Sequence, residues 1–190
     1  MAMSPTDPTA HERLYRSLRS QIMLGELRRL VAEGALTLSG SGRGATPALS
    51  DDRIEELAAL RALIEPELAA RALPRAHFAL IDRLAVMNGR IADAVERHDA
   101  VGYIRCNLDF HRMLYLRAQA PAMLAMLETI WLQLGPTMRA LYGRVRRNEP
   151  PRHHRMILAA LRAGDEPALR LAVRADVTHG LRHLTSTEGA

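Results

Sequence analysis

Three segments of this 190-residue chain place polar side chains of metal-ligand type on helical faces that are otherwise apolar. Asn107 and His111 stand one turn apart in a stripe with three-and-four spacing. His154 precedes apolar residues at i+3, i+4 and i+7, and Asp176 is in line with the apolar positions of the last segment. A divalent cation would satisfy two imidazoles, a carboxylate and an amide oxygen that face one cavity. The spacing therefore predicts a metal site formed by these four residues.

The same pattern is compatible with a simpler interpretation. Each of these side chains would then be an ordinary buried or half-buried polar residue that is hydrogen-bonded to the backbone. His179 and His183 follow Asp176 at i+3 and i+7, and they either serve as alternate ligands or lie exposed near the end of the chain. Both alternatives stay open at this stage.

Arg61 adds a cation to an apolar stripe on the helix that follows Ser50. One interpretation pairs it with Glu65, one turn along, in a surface ion pair. The other has Arg61 reach into the bundle and bind an anionic ligand, because a guanidinium matches a carboxylate with two parallel hydrogen bonds.

The elements that must position these residues are predicted to be helices. Hydrophobic residues make up 48% of the chain and aromatic residues only 4%, which favours helix packing. The pattern predicts helices near 51–73, 76–98, 100–118, 121–143, 150–163 and 166–184. Short connections between them imply an antiparallel bundle of six to seven helices. The fold class is therefore all-α.

The first 49 residues differ from this pattern. Residues 1–10 are predicted to be disordered, 11–25 to form a short amphipathic helix and 28–33 a brief helical piece. Two short β-prone runs flank a glycine-rich tip within 35–49, which predicts a small hairpin, with a flexible linker as the alternative. The helical domain is placed at 50–190.

Charge and composition limit the class of protein. The 26 basic residues are all arginine and the net charge is +5, which permits a polyanionic partner without requiring one. Cys106 is the single cysteine, so an intrachain disulfide is impossible. No apolar leader segment or membrane-spanning stretch is predicted, and a cytoplasmic location is expected.

Motifs of enzymes are not found in the sequence. It has no His-Glu-x-x-His, no Gly-x-Ser-x-Gly and no glycine-rich phosphate loop. A metal with an open position would activate water, so a metal-dependent hydrolase or lyase is the alternative function. No carboxylate near the four predicted ligands is an obvious general base, and we predict that the protein is not an enzyme.

Read in order, these residues resemble the FCD effector-binding domain of GntR-type bacterial transcription regulators over about 50–185. The likeness lies in Arg61-x3-Glu65, in Asn107-x3-His111 within NLDFHRMLY, and in His154 at the start of HRMILAALRAGD. The resemblance implies an all-helical domain whose cavity binds a divalent metal and a small organic acid. Asp176 stands where the family usually has a fourth ligand, histidine. This departure puts the metal preference in doubt among zinc, nickel and manganese.

The N-terminal part resembles the winged helix-turn-helix domain of the same family in two fragments. LYRSLRSQIMLGEL is similar to its first helix. The stretch from Leu27 to Ser50 is similar to the end of its recognition helix and its wing. Arg43 occupies the tip of the wing, where it would contact DNA. Between Leu27 and Arg28 the second helix and most of the recognition helix are missing. Either this is a real deletion, or the native protein has a segment that this sequence lacks.

The resemblance implies a homodimeric, ligand-responsive transcription regulator that binds operator DNA and a small carboxylate effector. If the deletion is real, the protein is instead a small-molecule sensor that does not bind DNA, since the base-contacting helix would be lost.

Overall fold

The structure is a computed structural model, and it describes residues 26–39, 44–142 and 152–185. The chain divides into two compact units, Met1–Pro47 and Ala48–Ala190. The predicted tail at 1–10, the predicted helix at 11–25 and the DNA contact at Arg43 lie outside the described residues.

The described part of the first unit consists of a short helix and a hairpin. Helix α1 spans Glu26–Ala32, so the junction between Leu27 and Arg28 lies within a helix. The chain then turns at Gly34, whose φ of 72° is a left-handed conformation that glycine adopts without strain. Strands β1 (Thr37–Leu38) and β2 (Gly44–Ala45) pair antiparallel, with Thr37 opposite Ala45. The small hairpin is therefore confirmed, and the linker alternative is wrong for these residues.

Six helices form the described part of the second unit. They are α2 (Asp51–Ala72), α3 (Phe78–Glu96), α4 (Ala100–Tyr115), α5 (Pro121–Tyr142), α6 (Arg152–Ala163) and α7 (Glu166–Thr185). Single 3-10 turns follow α2 and α4, at Leu73–Arg75 and Leu116–Ala118. The predicted all-α fold class is confirmed, with helix ends that differ from the predicted ones by up to three residues.

Side-chain caps explain where the helices that carry the site begin and end. The Ser50 hydroxyl accepts a hydrogen bond from the backbone N–H of Arg53 at 3.3 Å and starts α2. Gly164, with a φ of 65°, ends α6, and the Asp165 carboxylate caps α7 by accepting from the N–H of Ala168 at 2.9 Å. The link between α6 and α7 is thus only two residues long, which fixes His154 and Asp176 on adjacent helices.

The helices pack around a core that is mostly leucine, isoleucine and alanine. Helix α2 packs along α7, α3 along α4, and α6 along α7. The largest fully buried side chains are Tyr115, Phe110, Leu57, Leu68, Leu80, Leu84, Ile91, Leu114, Leu127, Leu134, Ile157 and Leu169. Four polar residues are buried among them: Arg61, Glu65, His111 and His154. No helix among the described residues is long and apolar enough to cross a membrane.

Candidate metal centre

Two histidines and an aspartate from three helices meet in the interior of the second unit. Nε2 of His111, on α4, lies 3.3 Å from Nε2 of His154, on α6. The carboxylate of Asp176, on α7, lies 3.1 Å from His111 Nε2 through Oδ2 and 3.6 Å from His154 Nε2 through Oδ1. One ligand atom from each residue lies within 4.8 Å of the others. The fold therefore brings together three of the four residues that the sequence singled out.

Burial makes this cluster unusual. The side chains of His111 and His154 are 1% and 2% exposed, while that of Asp176 is 19% exposed. Burial lowers the pKa of His154 to about 4, and the nearby His111 and His153 add to that effect against the attraction of Asp176. Burial alone would raise the pKa of Asp176, but its contacts with the His111 and His154 rings and the charge of Arg61 hold that pKa well below its usual range. The ring of His154 is therefore neutral at pH 7 and the carboxylate is charged.

The two ring nitrogens of His154 differ in their contacts. Nδ1 is buried and accepts or donates no hydrogen bond within the described part of the chain. The ring is held by stacking instead, with its centroid 4.2 Å from that of Phe110 and the two planes 12° apart. Packing thus aims Nε2 of this ring at the cluster.

Asn107 is half-buried on α4, one turn before His111. Its side chain forms no hydrogen bond with any residue that the structure describes. Its position on the helix is compatible with the predicted role as a fourth ligand, which stays a prediction.

Arg61 and Glu65 form an ion pair inside the protein. The Arg61 Nε–H donates to Glu65 Oε1 at 2.5 Å, and the two side chains are 7% and 0% exposed. Burial opposes the charge of the guanidinium, but the Glu65 carboxylate outweighs it and raises the pKa of Arg61. The predicted pairing with Glu65 is therefore present, but it is buried and does not lie on the surface. Only Nε is used, so the outer two nitrogens of Arg61 keep no hydrogen bond to the residues the structure covers.

Glu65 connects this pair to the histidine cluster, which the sequence analysis did not anticipate. The Tyr115 hydroxyl donates to Glu65 Oε2 at 2.9 Å, and Trp131 Nε1–H donates to Oε1 at 3.3 Å. Tyr115 also lies 3.2 Å from Nδ1 of His111. The contact between Tyr115 and His111 could have been predicted from their spacing, since side chains at i and i+4 are neighbours on a helix.

The two alternate ligands are placed differently. The ring of His179, on α7, lies 5.0 Å from the ring of His153, and His179 is not one of the three clustered residues found among the described side chains. The side chain of His183 lies outside the described residues. Asp176 is therefore the residue of α7 that lies in the cluster.

The donor set fits a divalent cation. Two imidazole nitrogens and one carboxylate are the ligands that zinc, nickel and manganese accept, and three protein ligands leave positions open for a further ligand. Nitrogen lone pairs and carboxylate oxygens at such distances repel each other unless a proton or a cation lies between them. The buried cluster can therefore hold a metal whose open positions bind an oxygen of a small anion.

The low pKa of His154 predicts acid sensitivity of the metal-free protein. Its pKa is about 4 in the folded chain and about 6.5 when unfolded. Between these values the unfolded chain binds a proton that the folded chain does not, so the free energy of unfolding falls as the pH is lowered. The full loss across this window is roughly 3 kcal/mol. We expect it in urea unfolding with EDTA between pH 7.5 and 4.5.

The groups that face His154 are Asp176 on α7, His111 on α4 and His153 on its own helix. The depressed pKa of Asp176 acts in a lower pH range, because its contribution is lost only as the pH falls below about 4. In His154→Leu the free energy of unfolding should change less between pH 7.5 and 4.5 than it does in the wild type. A wild-type stability that is flat or rises on acidification would contradict the expectation.

Fold and site together define a class: an all-helical ligand-binding domain with a buried cluster of metal-ligand residues. Residues 56–179 match the family profile of the FCD domain, and the chain belongs to the FCD domain family. The predicted resemblance to GntR-type regulators with this domain is confirmed.

Individual relatives agree with this assignment. The chain is 26% identical over 147 residues to the HTH-type transcriptional regulator McbR of Escherichia coli K12, a match that covers 76% of this chain and 66% of McbR. The solved structure of E. coli McbR/YncC superposes with a TM-score of 0.77 at 24% identity, covering 83% of this chain and 80% of that one. A GntR family regulator from Pseudomonas syringae has a TM-score of 0.57 at 18% identity, covering 84% and 66%. This chain therefore spans about two thirds of the length of McbR.

Proposed function

We propose that this chain is the sensing part of a transcription regulator that binds a small carboxylate effector next to a divalent metal. The observation that carries the proposal is the convergence of His111, His154 and Asp176 inside the domain. The FCD family membership and the name of the E. coli relative support a regulatory role over an enzymatic one.

His111, His154 and Asp176 would hold the metal, with the Asn107 oxygen as a fourth ligand. Zinc, nickel and manganese are the candidates, and the carboxylate in place of a third imidazole favours a harder ion than an all-histidine set would. When bound, the metal would supply a Lewis-acid position for a carboxylate oxygen of the effector. Its charge also offsets the buried carboxylate of Asp176.

Arg61 is the proposed second contact for the effector. Its Nε is bound to Glu65, which fixes the plane of the guanidinium and leaves its outer nitrogens for a carboxylate. Burial increases the strength of such a contact because the surrounding dielectric is low. Arg61 thus offers an anion-binding group that is already oriented.

DNA binding is proposed for the part of the protein that precedes this domain. The hairpin at Thr37–Leu38 and Gly44–Ala45 is compatible with a wing, and Arg43 directly precedes its second strand in the sequence. In a cytoplasmic homodimer, the two N-terminal parts would bind an operator together. Effector binding would change the position of one N-terminal part relative to the other. The segment predicted to be missing between Leu27 and Arg28 would supply the recognition helix, and the mass of the native protein decides whether it exists.

The proposal predicts that small organic acids change the affinity of the native protein for the promoter region of its own gene. Coupling between two sites is typically about 1 to 3 kcal/mol, or about 5- to 150-fold in affinity. We expect a shift of this size in electrophoretic mobility titrations with the matching acid and metal present. Arg61→Lys keeps the charge but loses the guanidinium fork, and it should reduce the response.

Arg71→Lys is the matched control, since Arg71 lies on the same helix in an exposed pair with Glu67. It should respond like the wild type. Failure of the native protein to retain promoter DNA specifically, with or without metal and any of the acids tested, would refute the proposed regulator.

A further inference from the structure

A continuous line of polar contacts links Arg61 to the proposed metal ligand His111. Arg61 Nε–H donates to Glu65 Oε1, and the Tyr115 hydroxyl donates to Glu65 Oε2 at 2.9 Å. The oxygen of Tyr115 lies 3.2 Å from His111 Nδ1. Glu65, His111 and Tyr115 are no more than 1% exposed, so water does not compete for these contacts. The position of each hydrogen along this line is therefore determined by the hydrogen-bonding groups of these four residues.

Glu65 determines the direction of the Tyr115 hydrogen bond. A carboxylate only accepts, and its Oε1 already receives the N–H groups of Arg61 and Trp131. Oε2 is left for the single hydrogen of the tyrosine hydroxyl. Towards His111 the tyrosine oxygen can then only accept.

This direction determines the tautomer of His111. A nitrogen that faces an acceptor must carry the hydrogen, so Nδ1 of His111 is an N–H group. With the hydrogen on Nδ1, the other nitrogen is the one through which the ring can ligate a metal. That nitrogen, Nε2, is the one that lies 3.1 Å from Asp176 Oδ2 and 3.3 Å from His154 Nε2.

We infer that Tyr115, held by Glu65, is a positioning residue that keeps the ring hydrogen of His111 on Nδ1 and so presents Nε2 to the metal. The inference rests on the proposed metal site. A hydrogen bond to the second nitrogen of a ligating histidine fixes its tautomer and ring orientation and increases its basicity as a ligand. Tyr115 also connects His111 to Glu65, the ion-pair partner of Arg61.

The two histidines of the cluster are thus oriented by different means. The Nδ1 atom of His154 has no polar partner among the described residues, and its ring is held by stacking on Phe110. Loss of the tyrosine hydroxyl should therefore affect His111 and leave the seating of His154 unchanged.

Tyr115→Phe tests the inference, because it removes the hydroxyl and retains the ring. Zinc affinity is measured by competition with a chromophoric chelator at pH 7.5 on the full chain. We expect binding to weaken about 10- to 100-fold, the usual effect of removing a partner of a ligating histidine. The control is Tyr103→Phe, which removes a hydroxyl from the same helix three turns earlier. It should bind zinc as the wild type does.

A second measurement on the wild-type protein does not depend on whether the variant folds. With ¹⁵N-labelled histidine and zinc bound, the His111 ring should show a protonated Nδ1, with its hydrogen protected from exchange, and a metal-bound Nε2. In Tyr115→Phe, where it folds, that hydrogen should exchange faster, which a merely structural role for Tyr115 would not produce.

The possible results separate the two proposals. Equal zinc affinity in Tyr115→Phe and wild type, or ligation of zinc through Nδ1 of His111, would overturn the positioning role and leave the metal site intact. A wild-type protein that binds no zinc, nickel or manganese would overturn both.

Discussion

His154→Ala is expected to remove specific metal binding while the helical fold is retained. The residue contributes one of the two buried imidazoles, and its other ring nitrogen has no hydrogen-bond partner among the described residues that would be lost with it. The decrease in affinity should exceed the roughly 10- to 100-fold that loss of an outer partner causes. Elemental analysis after purification without chelator should find metal in the wild type and none in the variant.

Thermal unfolding gives an independent measure of the same effect. Metal at 100 times its dissociation constant stabilises the folded state by about 2.7 kcal/mol, which is about 5 to 11 °C in Tm for a chain of this size. The variant should lack this increase.

His179→Ala is the matched control for metal binding. It removes a histidine from α7 whose ring lies against His153 and outside the clustered trio. It should keep the metal and the thermal shift. If instead His179→Ala loses the metal and His154→Ala keeps it, the ligand assignment is wrong. A wild type with no metal and no thermal response to zinc, nickel or manganese would show that the cluster is an ordinary buried polar group.

The second large effect is expected at Glu65. Glu65→Gln retains the shape but removes the charge that compensates the buried guanidinium of Arg61. Removing one partner of a buried ion pair typically costs about 3 to 5 kcal/mol, since the other charge is left without compensation. Urea unfolding followed by far-UV circular dichroism should show a loss of this size in the free energy of unfolding.

Glu67→Gln provides the comparison on the same helix. Glu67 pairs with Arg71 and Arg170, but all three side chains are at least one-third exposed. Exposed ion pairs contribute about 0 to 1 kcal/mol, so this variant should lose little. Equal losses in Glu65→Gln and Glu67→Gln would show that burial does not strengthen the Arg61–Glu65 pair.

The helices and their ends were predictable because they depend on local chemistry. Ser50, Gly164 and Asp165 are capping residues whose effect is complete within one turn, and the apolar spacing between them identifies the inward face of each helix. His111, His154 and Asp176 are polar residues that this spacing aligns with the inward face of their helices. The spacing along the chain required nothing beyond the periodicity of a helix.

The network around Glu65 could not be predicted in the same way. Glu65 and Arg61 one turn apart fit an exposed pair as well as a buried one, since the i, i+4 spacing is identical in both. Their burial depends on α5, which supplies Trp131, and on α4, which supplies Tyr115. These contacts join residues 50 and 66 positions apart in the sequence.

Local periodicity and side-chain chemistry were enough to predict the all-α class, the helix ends to within three residues and the residue types that can ligate a metal. Which of these residues meet, and how they are oriented, depends on how the helices pack. It places His111, His154 and Asp176 together and His179 against His153. It also makes Tyr115 the link between His111 and Glu65, because only helix packing sets distances between residues that are far apart along the chain.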